Sequence, residues 1–167
     1  MSRDVESVRG GIAELLPRLR RFARSLTRNA ADADDLVQVT VERALGRAEQ
    51  WRPDSPLVHW MFGIMKNAWI DESRSRGRHR RWFVRDVDVE DVRLPRSGDA
   101  GDLLSVTAAL ELLPDEQRLA VTLVLVEGLA YKEAAAVLDV PIGTLTSRLA
   151  RGRQALMQLL GETEQTS

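Results

Sequence analysis

The side chains with the clearest chemical potential lie near the C-terminus, in the stretch "VPIGTLTSRLARGR" at residues 140–153. Guanidinium groups neutralise phosphates and pair with guanine, and hydroxyls bond phosphates or base edges. At about 100° per residue, Leu145, Leu149 and Leu156 fall on one side of a helix, with Gly152 beside them. The opposite side carries Thr144, Ser147, Arg148 and Arg151, and Arg153 points elsewhere, to a flanking phosphate or an acid of the same domain. The pattern predicts a DNA-binding face, and the alternative is an ordinary solvated helix surface.

Other chemistries find little support in the sequence. Cysteine is absent, and the two histidines, His59 and His79, lack the spacing of a metal site. Acids at Asp32, Asp34 and Asp35 suit the positive end of a helix, and they lack the partners that a metal site needs. We find no phosphate-binding loop and no convincing acid pair. The sequence therefore predicts a protein that is not an enzyme and that needs no cofactor or metal.

The charges are sorted along the chain although their sum is only -1. Residues 71–85 contain six arginines against two acids, and residues 86–102 contain six acids against two arginines. A near-zero total can therefore hide a basic surface. The N-terminus lacks the apolar segment of a signal peptide, so we expect a cytoplasmic protein.

Apolar spacing predicts an all-α fold, with two small helical domains joined by a flexible linker. The expected bounds are 1–78 for the first domain, 79–102 for the linker and 103–167 for the second. The first domain should hold helices at about 11–28, from "NAADADD" to about 48, and from 57 or 58 to about 76. Pro17 marks either an irregularity in the first helix or its start. The second domain should hold helices at 103–113, 115–128, 131–138 and 143–160.

The stretch "LPDEQRLAVTLVLVEGLAYKEAAAVLDVPIGTLTSRLARGRQAL" resembles domain four of the extracytoplasmic-function (ECF) sigma factors of bacterial RNA polymerase. In that family the second helix of a helix-turn-helix recognises the -35 promoter element. The resemblance implies that the basic face at Thr144, Ser147, Arg148, Arg151 and Arg153 binds -35 DNA. This sequence departs from the family pattern at three positions, with Ala130 for a usual Ser, Asp139 for a turn Gly and Thr146 for a usual Lys.

The stretch "DADDLVQVTVERAL" is similar to the helix of sigma domain two that docks on the clamp coiled coil of the polymerase's largest subunit. Leu36, Val37 and Val41 belong to the packed side of that helix. Val39 stands where the family usually has Glu. The resemblance implies polymerase contacts at Asp35, Leu36, Gln38, Glu42 and Arg43.

The stretch "WRPDSPLVHWMFGIMKNAWIDESRSRGR" resembles the family's segment for -10 recognition and promoter melting. A protein that opens a duplex offsets the lost stacking by holding the freed base and neutralising the backbone. Gly63 replaces an Arg common in the family, and Trp60 is either a stacking platform or a core residue. The implied -10 contacts are Arg52, Asp54, Ser55, Trp60, Lys66, Asn67, Arg74 and Arg76.

Together these resemblances imply a sigma factor that binds core RNA polymerase and directs initiation at -35 and -10 elements under the control of an anti-sigma protein. The modest charge predicts weak DNA binding by the free protein. One alternative is a sigma mimic that binds an anti-sigma protein but never DNA, which Arg148 and Arg151 argue against. Another is a helix-turn-helix repressor or activator, although residues 1–76 resemble neither a dimerisation nor a sensory domain.

Overall fold

The computed structural model describes residues 3–83 and 101–164, and it describes side chains at residues 5–75 and 106–161. Every regular element in these ranges is helical, which confirms the predicted all-α fold. The helices are α1 (Arg3–Leu26), α2 (Ala30–Gly46), α3 (Leu57–Phe83), α4 (Gly101–Leu112), α5 (Asp115–Val121), α6 (Tyr131–Leu138) and α7 (Ile142–Glu164). We call α1–α3 the N-terminal domain and α4–α7 the C-terminal domain.

The N-terminal domain is a three-helix unit whose core is built on the apolar side of α1. Leu19, Phe22 and Leu26 of α1 are buried, and the ring of Phe22 lies 4.6 Å from that of Phe62 on α3. Helix α1 begins at Arg3, well before the predicted start, and Pro17 lies inside it. Pro17 therefore does not start the helix.

The start of α2 confirms that Asp32 has a capping role. Asn29 is the N-cap residue, and its side-chain oxygen accepts a hydrogen bond from the backbone N–H of Asp32 at 2.8 Å. The Asp32 carboxylate in turn accepts one from the Asn29 amide at 3.0 Å. The first bond satisfies a backbone donor that a helix start otherwise leaves unpaired, and the second holds the Asn29 side chain in place.

Helix α3 extends further than its predicted end at about residue 76 and continues to Phe83. The first residues of the predicted 79–102 linker are therefore helical. Arginine is a good helix former, and one glycine inside a helix costs only about 1 kcal/mol, so Gly77 does not end the helix. The linker residues 84–100 lie outside the described part of the chain.

The C-terminal domain contains the predicted helix-turn-helix, formed by α6 and α7. A π-helical turn at Thr122–Val126 extends α5, and Gly128 follows at φ 73°, near the predicted helix end. Asp139 lies between α6 and α7 at φ 54°, the left-handed conformation that favours the glycine usual in this turn. Glu133 accepts a hydrogen bond from the Ala130 N–H at 2.8 Å, so the half of the capping box that does not need Ser is intact.

Close packing between α5 and α7 fixes the position of the second helix of this motif. Leu145, Leu149 and Leu156 are buried, as their spacing predicts. Gly152 lies on the same side, where an added Cβ would be 2.6 Å from Val121 Cγ2 and 3.3 Å from the Gln117 carbonyl oxygen. Glycine is required here because α7 passes so near α5.

The two domains pack against each other instead of lying apart. Helix α3 contacts α6, and α1 contacts α4. The buried apolar side chains of both domains form one continuous cluster. The sequence predicted the two domains but carried no information about their relative position.

We expect Gly152→Ala to destabilise the protein, because the new methyl group would push α7 away from Val121. Overpacking of a close contact costs roughly 1–3 kcal/mol, which chemical denaturation would measure. Gly161→Ala is the matched control on the same helix, since a Cβ there meets nothing within 4 Å. The control should be neutral or stabilising by up to about 1 kcal/mol. Equal effects of the two changes would contradict this packing.

Candidate nucleic-acid and polymerase interface

The solvent side of α7 presents the predicted -35 residues. Ser147, Arg151 and Arg153 are exposed, whereas Thr144 and Arg148 are half-buried. The guanidinium of Arg148 lies 3.5 Å from the Glu116 carboxylate, which holds it beside α5. A helix that is apolar on one side and basic on the other can enter the major groove of DNA.

Thr146, which stands where the family usually has Lys, uses its hydroxyl within the helix. Its Oγ1 donates a hydrogen bond to the carbonyl oxygen of Ile142 at 2.8 Å. The residue is exposed but uncharged, so it adds no positive charge to this side of α7. The rest of the basic face is unaffected by this departure.

The solvent side of α2 carries four of the five predicted polymerase contacts. Asp35, Gln38 and Glu42 are exposed, and the Gln38 amide donates to Glu42 at 3.3 Å. Arg43 is half-buried and pairs with Asp71 of α3 at 3.3 Å. Leu36 is only 1% exposed, so its prediction as a contact is wrong. It belongs to the apolar side of α2.

A tight loop before α3 holds three of the predicted -10 residues. The Trp51 indole donates to the Ser55 carbonyl oxygen at 3.0 Å, and the Ser55 N–H donates to the Arg52 carbonyl oxygen at 3.1 Å. These bonds shape the loop and leave the side chains of Arg52, Asp54 and Ser55 exposed.

Helix α3 presents the remaining predicted -10 residues in different environments. Asn67 and Arg74 are exposed and Trp60 is half-buried, while the Arg76 side chain lies outside the described part of the chain. Lys66 is only 8% exposed, and this burial lowers the pKa of its amine, an effect that the charge of Asp139 partly opposes. Lys66 is therefore not available to a DNA strand in this arrangement.

Four of the predicted -10 residues line one cleft of about 620 Å³, namely Asp54, Ser55, Trp60 and Asn67. That volume is in the range of pockets that hold small molecules, so it can accommodate a base. The opposite wall belongs to α6, with Lys132, Glu133, Ala136 and Val137. The His59 Nδ1 lies 3.5 Å from the Glu133 carboxylate across this cleft.

A second contact between the domains is formed by Glu127, Arg18 and Arg21, which we call the Glu127 ion-pair cluster. Arg21 donates to both carboxylate oxygens of Glu127, at 2.9 and 2.8 Å, and this hydrogen bonding and charge raise the pKa of Arg21. Arg18 lies 3.5 Å from the same carboxylate and donates to the Glu127 carbonyl oxygen at 3.3 Å. The Glu127 side chain is 0% exposed.

Arg118 of α5 forms the third contact between the domains. It is 8% exposed, and burial lowers the pKa of its guanidinium. Its Nη2 donates to the Glu111 carbonyl oxygen at 2.6 Å within the C-terminal domain, and its Nη1 donates to the Leu26 carbonyl oxygen at 3.3 Å in the N-terminal domain. The guanidinium also lies over the Trp69 ring, 5.8 Å from its centre, as in a cation–π contact.

The sequence motifs do not identify these residues between the domains. One signal was present, since Glu127 is a lone acid inside the apolar run "TLVLVEGLA" and a buried acid needs a cation. Arg18 and Arg21 are three residues apart and so share a face of α1. More than 100 residues separate them from Glu127, however, and sequence spacing says nothing about a pair so distant.

Family comparison agrees with both halves of this structure. The model for the Sigma2 domain of PhyR matches residues 12–66, and the model for Sigma-70 region 4 matches residues 103–156. The ECF RNA polymerase sigma factor EcfG of Rhodopseudomonas palustris is 40% identical over 159 residues, which cover 93% of this chain and 86% of the relative. The chain belongs to the ECF sigma factors. It is therefore a promoter-specificity subunit that directs transcription initiation by bacterial RNA polymerase.

Further relatives support the assignment of this chain to the ECF sigma factors. SigE of Mycolicibacterium smegmatis is 36% identical over 87% of this chain and 58% of its own length. The sigma factor RpoE of Bartonella quintana, solved in complex with the anti-sigma factor NepR, is 34% identical with a TM-score of 0.79. That match covers 93% of this chain and 98% of the other.

Another structural neighbour is the anti-anti-sigma factor PhyR of Bartonella quintana, at 20% identity and a TM-score of 0.60. The match covers 88% of this chain and 48% of PhyR. Identity this low shows a shared fold alone. No helix in the described part of the sigma factor is long and apolar enough to cross a membrane.

We expect Lys66→Met to stabilise the sigma factor by about 1 kcal/mol, because an apolar chain of similar length avoids the burial of a charge. The pKa of Lys66 is lower in the folded state than its ordinary 10.5. The native chain therefore gains stability as pH rises from the lowered pKa toward 10.5. Lys66→Met should remove this gain, which urea titrations at several pH values would show. A variant with unchanged stability and pH slope would contradict the burial of Lys66.

Proposed function

We propose that the two domains of this sigma factor divide promoter recognition between them. The N-terminal domain binds core RNA polymerase through the exposed side of α2 and recognises -10 DNA through the loop and cleft of α3. The C-terminal domain recognises -35 duplex through α7. The observation that carries this proposal is α7 itself, with leucines buried on one side and Ser147 and Arg151 exposed on the other.

The proposal gives each basic residue of α7 a chemical role. Arg151 is exposed and can pair with guanine or phosphate, and Ser147 lies one turn before it. Arg148 must leave its ion pair with Glu116 to bind DNA. Breaking this pair costs little free energy, because the Glu116 carboxylate is largely exposed. Arg153 is directed toward a flanking phosphate. None of these roles needs a cofactor, and in this proposed function the sigma factor performs no catalysis.

We further propose that the polymerase contact is the clamp coiled coil, bound by Asp35, Gln38, Glu42 and Arg43. The first three side chains are solvent-exposed on one element. Arg43 is already paired with Asp71, so it contributes as part of that pair. Binding of core polymerase places the protein in the cytoplasm.

Control by an anti-sigma protein is part of the same proposal. The RpoE relative was solved with the anti-sigma factor NepR, and its match extends over nearly the whole of this chain. The match therefore spans both domains of this chain. An anti-sigma protein that recognises this arrangement would keep the factor from polymerase.

A sigma mimic is the second candidate, because the matching model for residues 12–66 is that of PhyR. A mimic binds an anti-sigma protein and does not support transcription. Run-off transcription with purified core polymerase and promoter fragments separates the two candidates. Transcripts that depend on the protein support the sigma factor, and their absence together with no binding to core would favour the mimic.

In that assay we expect Arg151→Ala to reduce transcription from a -35-dependent promoter about tenfold or more, since a base contact is worth about 1–3 kcal/mol. Arg148→Ala should act in the same direction. Arg20→Ala is the control, because Arg20 is an exposed arginine on α1. Undiminished transcription by both α7 variants would remove this helix from promoter recognition.

For the polymerase face we expect Asp35→Ala to weaken binding to core polymerase about tenfold, because it removes a charge from the interface. Asp34→Ala is the matched control, since Asp34 is the exposed neighbour of Asp35 on α2 and its replacement changes the helix charge equally. Its affinity should stay within about twofold of the original, by the same interface argument. Fluorescence anisotropy with labelled protein measures both, and equal losses would indicate a general electrostatic effect in place of a specific contact.

A further inference from the structure

An acidic side chain lies beside the basic face of α7. Glu116, the second residue of α5, has its carboxylate 3.5 Å from the Arg148 guanidinium. Its side chain keeps 69% of its surface exposed, whereas that of Arg148 keeps only 27%. The carboxylate therefore lies in solvent at the border between α5 and the face of α7 that we assign to -35 DNA. An acid is poorly suited to this place, because DNA presents a dense row of negative charges.

The position of Glu116 beside α7 is fixed by the packing of two backbones. Gly152 follows Arg148 by one turn, and a Cβ added at Gly152 would lie 3.3 Å from the Gln117 carbonyl oxygen. Gln117 is the residue after Glu116, so the first turn of α5 is packed directly against α7. The backbone of Glu116 therefore remains beside the basic face as long as the domain keeps this packing.

Groove geometry places this border against a DNA strand. A helix with its side chains is about 10–12 Å wide, and the major groove of B-DNA is about 12 Å wide. A helix that fills the groove directs its exposed ridge toward the bases and its flanks toward the two phosphate backbones. Ser147 and Arg151 are on the exposed ridge of α7, and Arg148 is half-buried on its flank. Arg148 thus suits a phosphate contact, and Glu116 would lie beside the same phosphate.

Binding of that phosphate by Arg148 has two electrostatic costs. The guanidinium must leave Glu116, and the free carboxylate then lies close to the negative phosphate. Both effects are modest, because water and salt screen exposed charges. Both are also independent of the base sequence, because phosphate contacts carry no sequence information directly. Glu116 therefore lowers the affinity of α7 for every duplex.

We propose that Glu116 is a positioning residue that limits the sequence-independent affinity of the sigma factor for DNA, by holding Arg148 in an ion pair and repelling the phosphate that Arg148 would bind. The proposal rests on the -35 role of α7 proposed above. The partner of this surface is the sugar–phosphate backbone of duplex DNA. The free protein then dissociates readily from chromosomal DNA, and stable binding needs the additional promoter contacts of the polymerase complex.

The test measures binding of the full chain to labelled duplexes by fluorescence anisotropy, between about 50 and 200 mM salt. One duplex carries the -35 sequence of a promoter found by run-off transcription, and the other carries the same bases in scrambled order. We expect Glu116→Gln to bind both duplexes about threefold to fivefold more tightly than the unaltered chain. The plot of log affinity against log salt should become steeper by about 0.9, because one more phosphate charge is neutralised.

Two controls separate this role from a general effect of charge or of helix stability. Asp115→Asn removes an equal charge from the same turn of α5 and should change both affinities by less than about twofold, since its partner is not Arg148. Glu116→Gln combined with Arg148→Ala should differ from Arg148→Ala alone by less than about twofold, because the ion pair is already absent. Urea unfolding establishes that each variant is folded.

Three results would overturn the proposal. The first is a Glu116→Gln variant that binds no more tightly than the unaltered chain, including the case in which neither binds detectably. The second is equal tightening by Asp115→Asn. The third is an undiminished effect of Glu116→Gln when Arg148 is replaced.

The α7 variants distinguish failure of this inference from failure of the proposed function. If Arg151→Ala weakens binding to the -35 duplex but Glu116→Gln changes nothing, only the role of Glu116 is rejected. If Arg151→Ala and Arg148→Ala both leave binding unchanged and the unaltered chain does not transcribe with core polymerase, the proposed function is rejected and the role of Glu116 with it.

Discussion

Burial of the Glu127 carboxylate is the constraint on which the arrangement of the two domains depends. A carboxylate that is removed from water must be paired, because an unpaired buried charge is strongly destabilising. The charge partners that Glu127 has in this structure, Arg18 and Arg21, are on α1. The C-terminal domain is therefore held against the N-terminal domain, and α6 comes to lie along α3.

Arg118 is a buried positive charge, and like the buried negative charge of Glu127 it must find polar partners. Its guanidinium is buried, so its donors are directed to carbonyl oxygens of both domains. Its Nε finds no acceptor among the residues that the structure describes, so one hydrogen-bond donor of the buried guanidinium is unpaired there. Contacts of this kind are directional, and they fix an angle between domains that apolar packing alone would leave less determined.

The two proposed DNA-binding surfaces differ in how far they are open to solvent. The face of α7 is already accessible, because close packing at Gly152 holds the opposite side of the helix against α5. The cleft beside α3, by contrast, has α6 as its opposite wall. The proposed duplex-binding surface is thus open to solvent, whereas the proposed -10 surface is bounded in part by the C-terminal domain.

Sequence periodicity by itself determined the seven helices, the two-sided character of α7 and the exposed side of α2, because each of these follows from the spacing of apolar residues within one element. The three quoted sequence stretches, and not this spacing, carried the resemblance to the ECF sigma factors. The sequence did not resolve the role of Leu36, because its spacing placed it on the packed side of α2 while the family resemblance implied a polymerase contact there, and the structure shows it buried. Nor did it determine that α3 continues to Phe83 or that Lys66 is covered. Only the tertiary structure decided how the domains face each other, because the interactions that fix this, such as Arg21 with Glu127, join residues more than 100 positions apart.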